Sequence, residues 1–148
     1  MKNLTRLLLV SGLIAGSTIV MATPFDGSKP LVCATQYVSQ CDAGTDCINV
    51  TPESVSLPDL FIVDAGNKVI MATPESGSDR KTAIERSEIL DGKLMLQGAD
   101  DGIEDFRDGL GWTMAIDEET GKLVFSASGD GFAMVVFGAC TVRQGTSD

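Results

Sequence analysis

Histidine is absent from the 148-residue chain, aromatics are few, and 11 basic residues face 21 acidic ones. Without imidazole there can be no Ser-His-Asp triad, no Cys-His nucleophile pair and no histidine-ligated metal centre. The shortage of positive charge works against nucleic acid and anionic lipid headgroups as partners, since both are recognised through basic surface. Its simplest physical consequence is solubility. The four cysteines include no Cys-x-x-Cys pair, the spacing that a thiolate zinc site uses. No long helical period and no repeat of fixed length is visible, and nothing in the chain calls for a cofactor.

What is present begins with Lys2 and Arg6, followed by an uncharged stretch from Leu7 to the first acid, Asp26. A positive head, an apolar middle and the small-residue ending Val20-Met21-Ala22 form the pattern of a secretory signal peptide. The expectation is cleavage after Ala22, so that residues 1–22 are the signal and 23–148 one domain, periplasmic or secreted. The stretch is also about long enough to span a bilayer, but Gly12, Gly16, Ser17 and Thr18 dilute it. No cysteine stands at the cleavage point to take a lipid. The remaining 126 residues suffice for one hydrophobic core.

An even cysteine count behind an export signal reads as two disulfides. Cys41 and Cys47 flank the turn-rich Asp42-Ala43-Gly44-Thr45-Asp46, which favours pairing them and leaves Cys33 with Cys140, though three connectivities exist. The second bond would span nearly the whole domain.

Residues 23–30 read as an irregular leader, with Pro24, Gly27 and Pro30 opposing regular pairing. Leu31 to Val38 has the composition of a first strand; the Cys41–Cys47 loop, Ile48 to Val55 and a break at Pro58 follow, and Thr51-Pro52-Glu53-Ser54 could start one helical turn. Asn49-Val50-Thr51 is a glycosylation sequon, weakened by Pro52. From Leu60 onward, apolar runs of strand length alternate with Gly- and Asp-containing turns, the pattern of consecutive hairpins. Leu60–Val63 meets Val69–Met71, and Thr82–Leu90 meets Leu94–Leu96 across Asp91-Gly92. Trp112–Ile116 meets Leu123–Ser128, and Phe132–Val142 closes the series. Asp91-Gly92 as a two-residue turn sets Leu90 opposite Lys93, Ile89 opposite Leu94 and Ser87 opposite Leu96. That register leaves Glu85 on an apolar face, unless a bulge or strand end flips its phase. Phe132–Phe137 is apolar on both faces, which suits a central strand or one covered by the leader.

The fold class is therefore all-β: an antiparallel up-and-down meander of seven or eight strands. A meander exposes two strand edges, and closure into a barrel removes them. A Cys33–Cys140 bond would tie the first and last strands, so a closed or nearly closed barrel is expected. Barrels of about this size are either packed or hold one small ligand; the pattern allows both.

The segments Gly111-Trp112-Thr113-Met114-Ala115-Ile116-Asp117, Thr120-Gly121-Lys122 and Phe137-Gly138-Ala139-Cys140 resemble a group of small exported bacterial proteins, over the C-terminal third only. The overall plan resembles the lipocalin-type, or calycin, barrels in architecture. The Gly-x-Trp of lipocalins near the first strand is missing, because Trp112 is the only tryptophan. Neither resemblance implies a functional residue.

Candidates for a site are few. Tyr37 and Trp112 combine an apolar body with a polar tip; with Glu85, Arg86 and Phe106 they are candidates for the wall of a ligand cavity. Asp100, Asp101, Glu104, Asp105 and Asp108 form the densest acidic segment and are a weak calcium alternative to a plain solvated loop, since the EF-hand spacing is missing. Arg80-Lys81 and Arg86 are the one basic cluster after the signal; they balance acids, or hold an anionic ligand if a barrel mouth lies there. Glu85 and Glu88 alternate to opposite faces and make no carboxylate pair for glycoside chemistry. The function expected is non-catalytic binding of a small apolar or amphipathic ligand. The alternative is a protein-interaction or inhibitor module acting through surface loops such as 99–109, with a protein partner.

Overall fold

The computed structural model describes residues 23–102 and 109–144. Residues 1–22, expected from the sequence to be a signal peptide, and the 103–108 stretch, with Glu104, Asp105, Phe106 and Asp108, lie outside the described residues. The described chain is all-β and antiparallel. Its strands are β1 (Leu31–Asp42), β2 (Ile48–Val50), β3 (Leu60–Asp64), β4 (Val69–Ala72), β5 (Lys81–Ala83), β6 (Arg86–Leu90), β7 (Lys93–Asp100), β8 (Leu110–Asp117), β9 (Lys122–Gly129) and β10 (Phe132–Val142). Two 3-10 turns, Glu53–Val55 and Pro74–Ser76, interrupt the connections. The first is the helical turn that Thr51-Pro52-Glu53-Ser54 foreshadows. No helix among the described residues is long and apolar enough to cross a membrane.

The sheet runs in the order β5-β4-β3-β1-β10-β9-β8-β7-β6, with β2 on the upper part of β1. Its two ends, β5 and β6, are halves of one extended segment. Lys81 to Ala83 pairs with β4, and Arg86 to Leu90 pairs with β7. Between them Ile84 N–H donates to Lys68 O at 2.9 Å and Glu85 N–H to Gln97 O at 2.8 Å, so the backbone changes partner within two residues. The meander is thereby curled into a nearly closed barrel, and β1 joins β10 directly, as the cysteine positions foretell. Cys33 and Cys140 face each other across that join and are bonded; Cys41 is bonded to Cys47.

Local chemistry explains the register. Asp91 and Gly92 both take positive φ (48° and 72°), as a type I′ turn demands, and pair Leu90 with Lys93, Ile89 with Leu94 and Ser87 with Leu96. Glu85 escapes the interior because the switch of partner flips the alternation: Ile84 is buried and Glu85 exposed. β10 is central between β1 and β9. The leader lies across one end, with Phe25 against Gly121, Gly27 against Leu94 and Ala65, and Thr23 Oγ1 donating to Glu118 at 3.0 Å.

Inward residues alternate with outward ones along every long strand. Trp112, Met114 and Ile116 point in from β8, and Thr113 points out to share a 2.8 Å hydroxyl contact with Ser126. At the leader's end Leu31, Leu94, Leu96, Ile116 and Leu123 are almost fully buried and fill the barrel. The other end is built differently.

Candidate functional site

Toward the end opposite the leader, the barrel encloses a pocket of about 690 Å³. Its wall is made by inward positions of the strands: Phe61 on β3, Ile70 on β4, Trp112 and Met114 on β8, Phe125 on β9, and Met134 on β10. Trp112 and Phe125 stack with ring centroids 5.9 Å apart. Val55, Leu57 and Pro58 cover part of the opening from the β2–β3 connection.

Two threonines and the indole of the wall are already hydrogen-bonded within the protein. Thr35 Oγ1 donates to Pro58 O at 3.1 Å. Trp112 Nε1–H donates to Thr82 Oγ1 at 3.2 Å, and that hydroxyl donates onward to Ala99 O at 3.1 Å. This relay stitches β5 to β7 and β8 at the barrel's seam. It passes over Gly98, where a Cβ would come within 2.4 Å of both Ala83 O and the Trp112 ring. A side chain there would displace the indole or part the seam. The buried hydroxyl of Thr73 alone among the described buried side chains has no partner, and Thr73 is not among the lining residues.

Charge gathers at the rim. Arg80 donates from Nη1 to Ser56 O at 2.8 Å and meets Asp100 through Nη2 at 3.4 Å. Asp100 also accepts the Gly102 N–H at 3.0 Å, and Lys81 stands beside Arg80 in the lining. The rim thus bridges the 3-10 turn, the start of β5 and the end of β7.

Of the wall candidates read from the sequence, Trp112 lines the pocket. Tyr37 is half exposed on the outer face, bonded through its hydroxyl to Asn49 and next to Phe137, whose ring centroid lies 6.0 Å away. Inward Val38 explains this, because Tyr37 precedes it and alternation turns it out. Glu85 and Arg86 are exposed at the seam, away from the lining. Phe106 is among the undescribed residues. Of the calcium candidates only Asp100 and Asp101 are described, and among the described residues no group of three or more carboxylate or thiol ligands is placed to hold a metal. Arg80 and Lys81 carry a signal already present in the sequence, as the one basic cluster after the leader. The methionines and phenylalanines of the wall carry none, because core and cavity positions look alike in an alternating strand.

Compared with family models, with curated proteins and with solved structures, the chain matches none.

Proposed function

We propose that the chain is an exported, non-catalytic β-barrel that holds one small apolar or amphipathic molecule. The observation that carries the reading is the pocket: about 690 Å³ lies within the usual range of small-molecule sites, and its wall is aromatic and aliphatic with few polar groups. Met71, Met114 and Met134 contribute polarisable, adaptable surface to that lining. Two disulfides and no free cysteine support an oxidising compartment.

Titration with N-phenyl-1-naphthylamine, an uncharged apolar fluorophore, tests this reading by energy transfer from Trp112, the chain's one tryptophan. One-to-one saturable binding is expected. Ala127, inward and directly between Trp112 and Met134, is the place to block it. Ala127→Phe should abolish binding while the unfolding transition stays cooperative. Absence of saturable binding, or stoichiometric binding untouched in the blocked variant, would contradict the proposal.

A second reading, an interaction module, draws support from Tyr37, Phe137 and Val124, which form a row of exposed apolar residues across neighbouring strands on the outer face.

A further inference from the structure

We infer that the pocket selects an amphipath with an anionic head, its apolar body inside the barrel and its oxyanion held at the rim by Arg80, with Lys81 adding positive charge from the neighbouring strand position. This inference rests on the ligand-binding reading above and adds the chemistry of the ligand.

Three observations lead to it. First, Thr35, Thr82 and the Trp112 indole in the pocket wall are committed to one another or to backbone carbonyls. These three groups offer an entering ligand body no unspent donor, so a carbonyl or carboxylate placed among them would lose its water without compensation. Second, the charged residues of the described lining, Arg80, Lys81 and Asp100, lie together at the rim. The chain as a whole is strongly acidic, so a cationic pair at a pocket mouth runs against its average charge. Third, the guanidinium of Arg80 is anchored but not saturated. Nη1 is held by Ser56 O at 2.8 Å, whereas the Nη2 contact to Asp100 is 3.4 Å. A well-formed guanidinium–carboxylate bond closes to about 2.7–2.9 Å. Asp100 divides its attention with the Gly102 N–H. A guanidinium presents five N–H donors in a rigid plane, so a ligand carboxylate can take a pair of them while Ser56 keeps the side chain aimed across the mouth.

The head displaces or joins Asp100 at Arg80, and the apolar chain extends toward Trp112 and Phe125. The head need not be desolvated fully, because Arg80 remains half exposed.

The test compares three probes that share a twelve-carbon chain: dodecanoate, dodecanol and dodecyltrimethylammonium, each below its aggregation concentration, with vesicles of anionic phospholipid as a fourth arm. Binding to the mature protein is read by Trp112 fluorescence and calorimetry. Dodecanoate should bind at least tenfold more tightly than dodecanol and dodecyltrimethylammonium, and raising the salt concentration should shrink that margin. Arg80→Gln should remove most of the preference and leave dodecanol affinity within about threefold; Lys81→Gln, a milder change on exposed surface, should remove part of it. Vesicle binding without monomer binding would show a membrane-surface contact and overturn the inference. Equal affinity for the acid and the alcohol, or tighter binding of the ammonium, would overturn the anionic head while leaving the pocket reading intact. Failure of all three monomeric probes, with N-phenyl-1-naphthylamine also unbound, would overturn both.

Discussion

At the scale of single residues, the pocket depends on one glycine and one hydroxyl. Gly98 faces inward opposite Trp112, and it is the missing side chain there that lets the indole lie flat against β7 and reach Thr82. Gly98→Ala should therefore lower stability by about 1–3 kcal/mol, the usual cost of forcing a group into packed space, and should weaken ligand binding by moving Trp112. Gly111, on the neighbouring strand, is the matched control: a Cβ there meets nothing within 4 Å, so Gly111→Ala should stay within about 0.5 kcal/mol of the parent. Equal unfolding midpoints for the two variants would contradict the seam described here. Thr82→Val should cost about 1–3 kcal/mol, because it leaves the Trp112 N–H without an acceptor and Ala99 O without its donor.

Elements show how far the sequence could be read. The hairpin register around Asp91-Gly92 was legible residue by residue, because a type I′ turn fixes both its own backbone and the pairing that follows. Strand alternation likewise accounts for the inward set on β8 and β9, Trp112, Met114 and Ile116 with Leu123, Phe125 and Ala127. What alternation could not give was the break at Ile84–Glu85, where one extended segment leaves β4 for β7; the discordant phase of Glu85 was its only trace. Nor could it separate a filled interior from a hollow one, since Leu123, which packs the closed end, and Met134, which lines the pocket, occupy equivalent inward positions. The turn from Asp117 to Gly121 carries its own prediction. The backbone N–H and then the hydroxyl of Thr120, followed by the Lys93 ammonium, hold the Asp117 carboxyl well below the usual carboxylate range. A carboxyl depressed in the folded state contributes stability above its unfolded pKa of about 3.9 and loses it as pH falls toward the lower folded value. Asp64 behaves alike through the side chain and then the backbone N–H of Asn67. Urea midpoints should accordingly fall as pH drops below about 4, and Asp117→Asn should flatten that fall; an unchanged slope would contradict the turn's geometry.

For the whole molecule, closure is the main energetic question. Cys33 and Cys140 are 107 residues apart, and bonding them restricts the unfolded chain far more than the six-residue separation of Cys41 and Cys47. Chain entropy assigns about 4–5 kcal/mol to the long link and about 2 kcal/mol to the short one. Cys33→Ala with Cys140→Ala should lower the denaturant midpoint clearly more than the corresponding change at Cys41 and Cys47; the reverse ranking would argue against a barrel held at the β1–β10 join. The pairing was legible from the turn-rich residues between Cys41 and Cys47, whereas the division of the barrel into a leucine-packed end and an open end emerges only in three dimensions. That division gives the molecule its proposed work, because the packed half and the leader supply rigidity while the open half offers space. Native mass spectrometry of the protein recovered from the cells that make it tests this most directly. One small apolar or amphipathic molecule per chain, released on denaturation, is the predicted result; a bare chain mass, under conditions in which added dodecanoate stays bound, would contradict it.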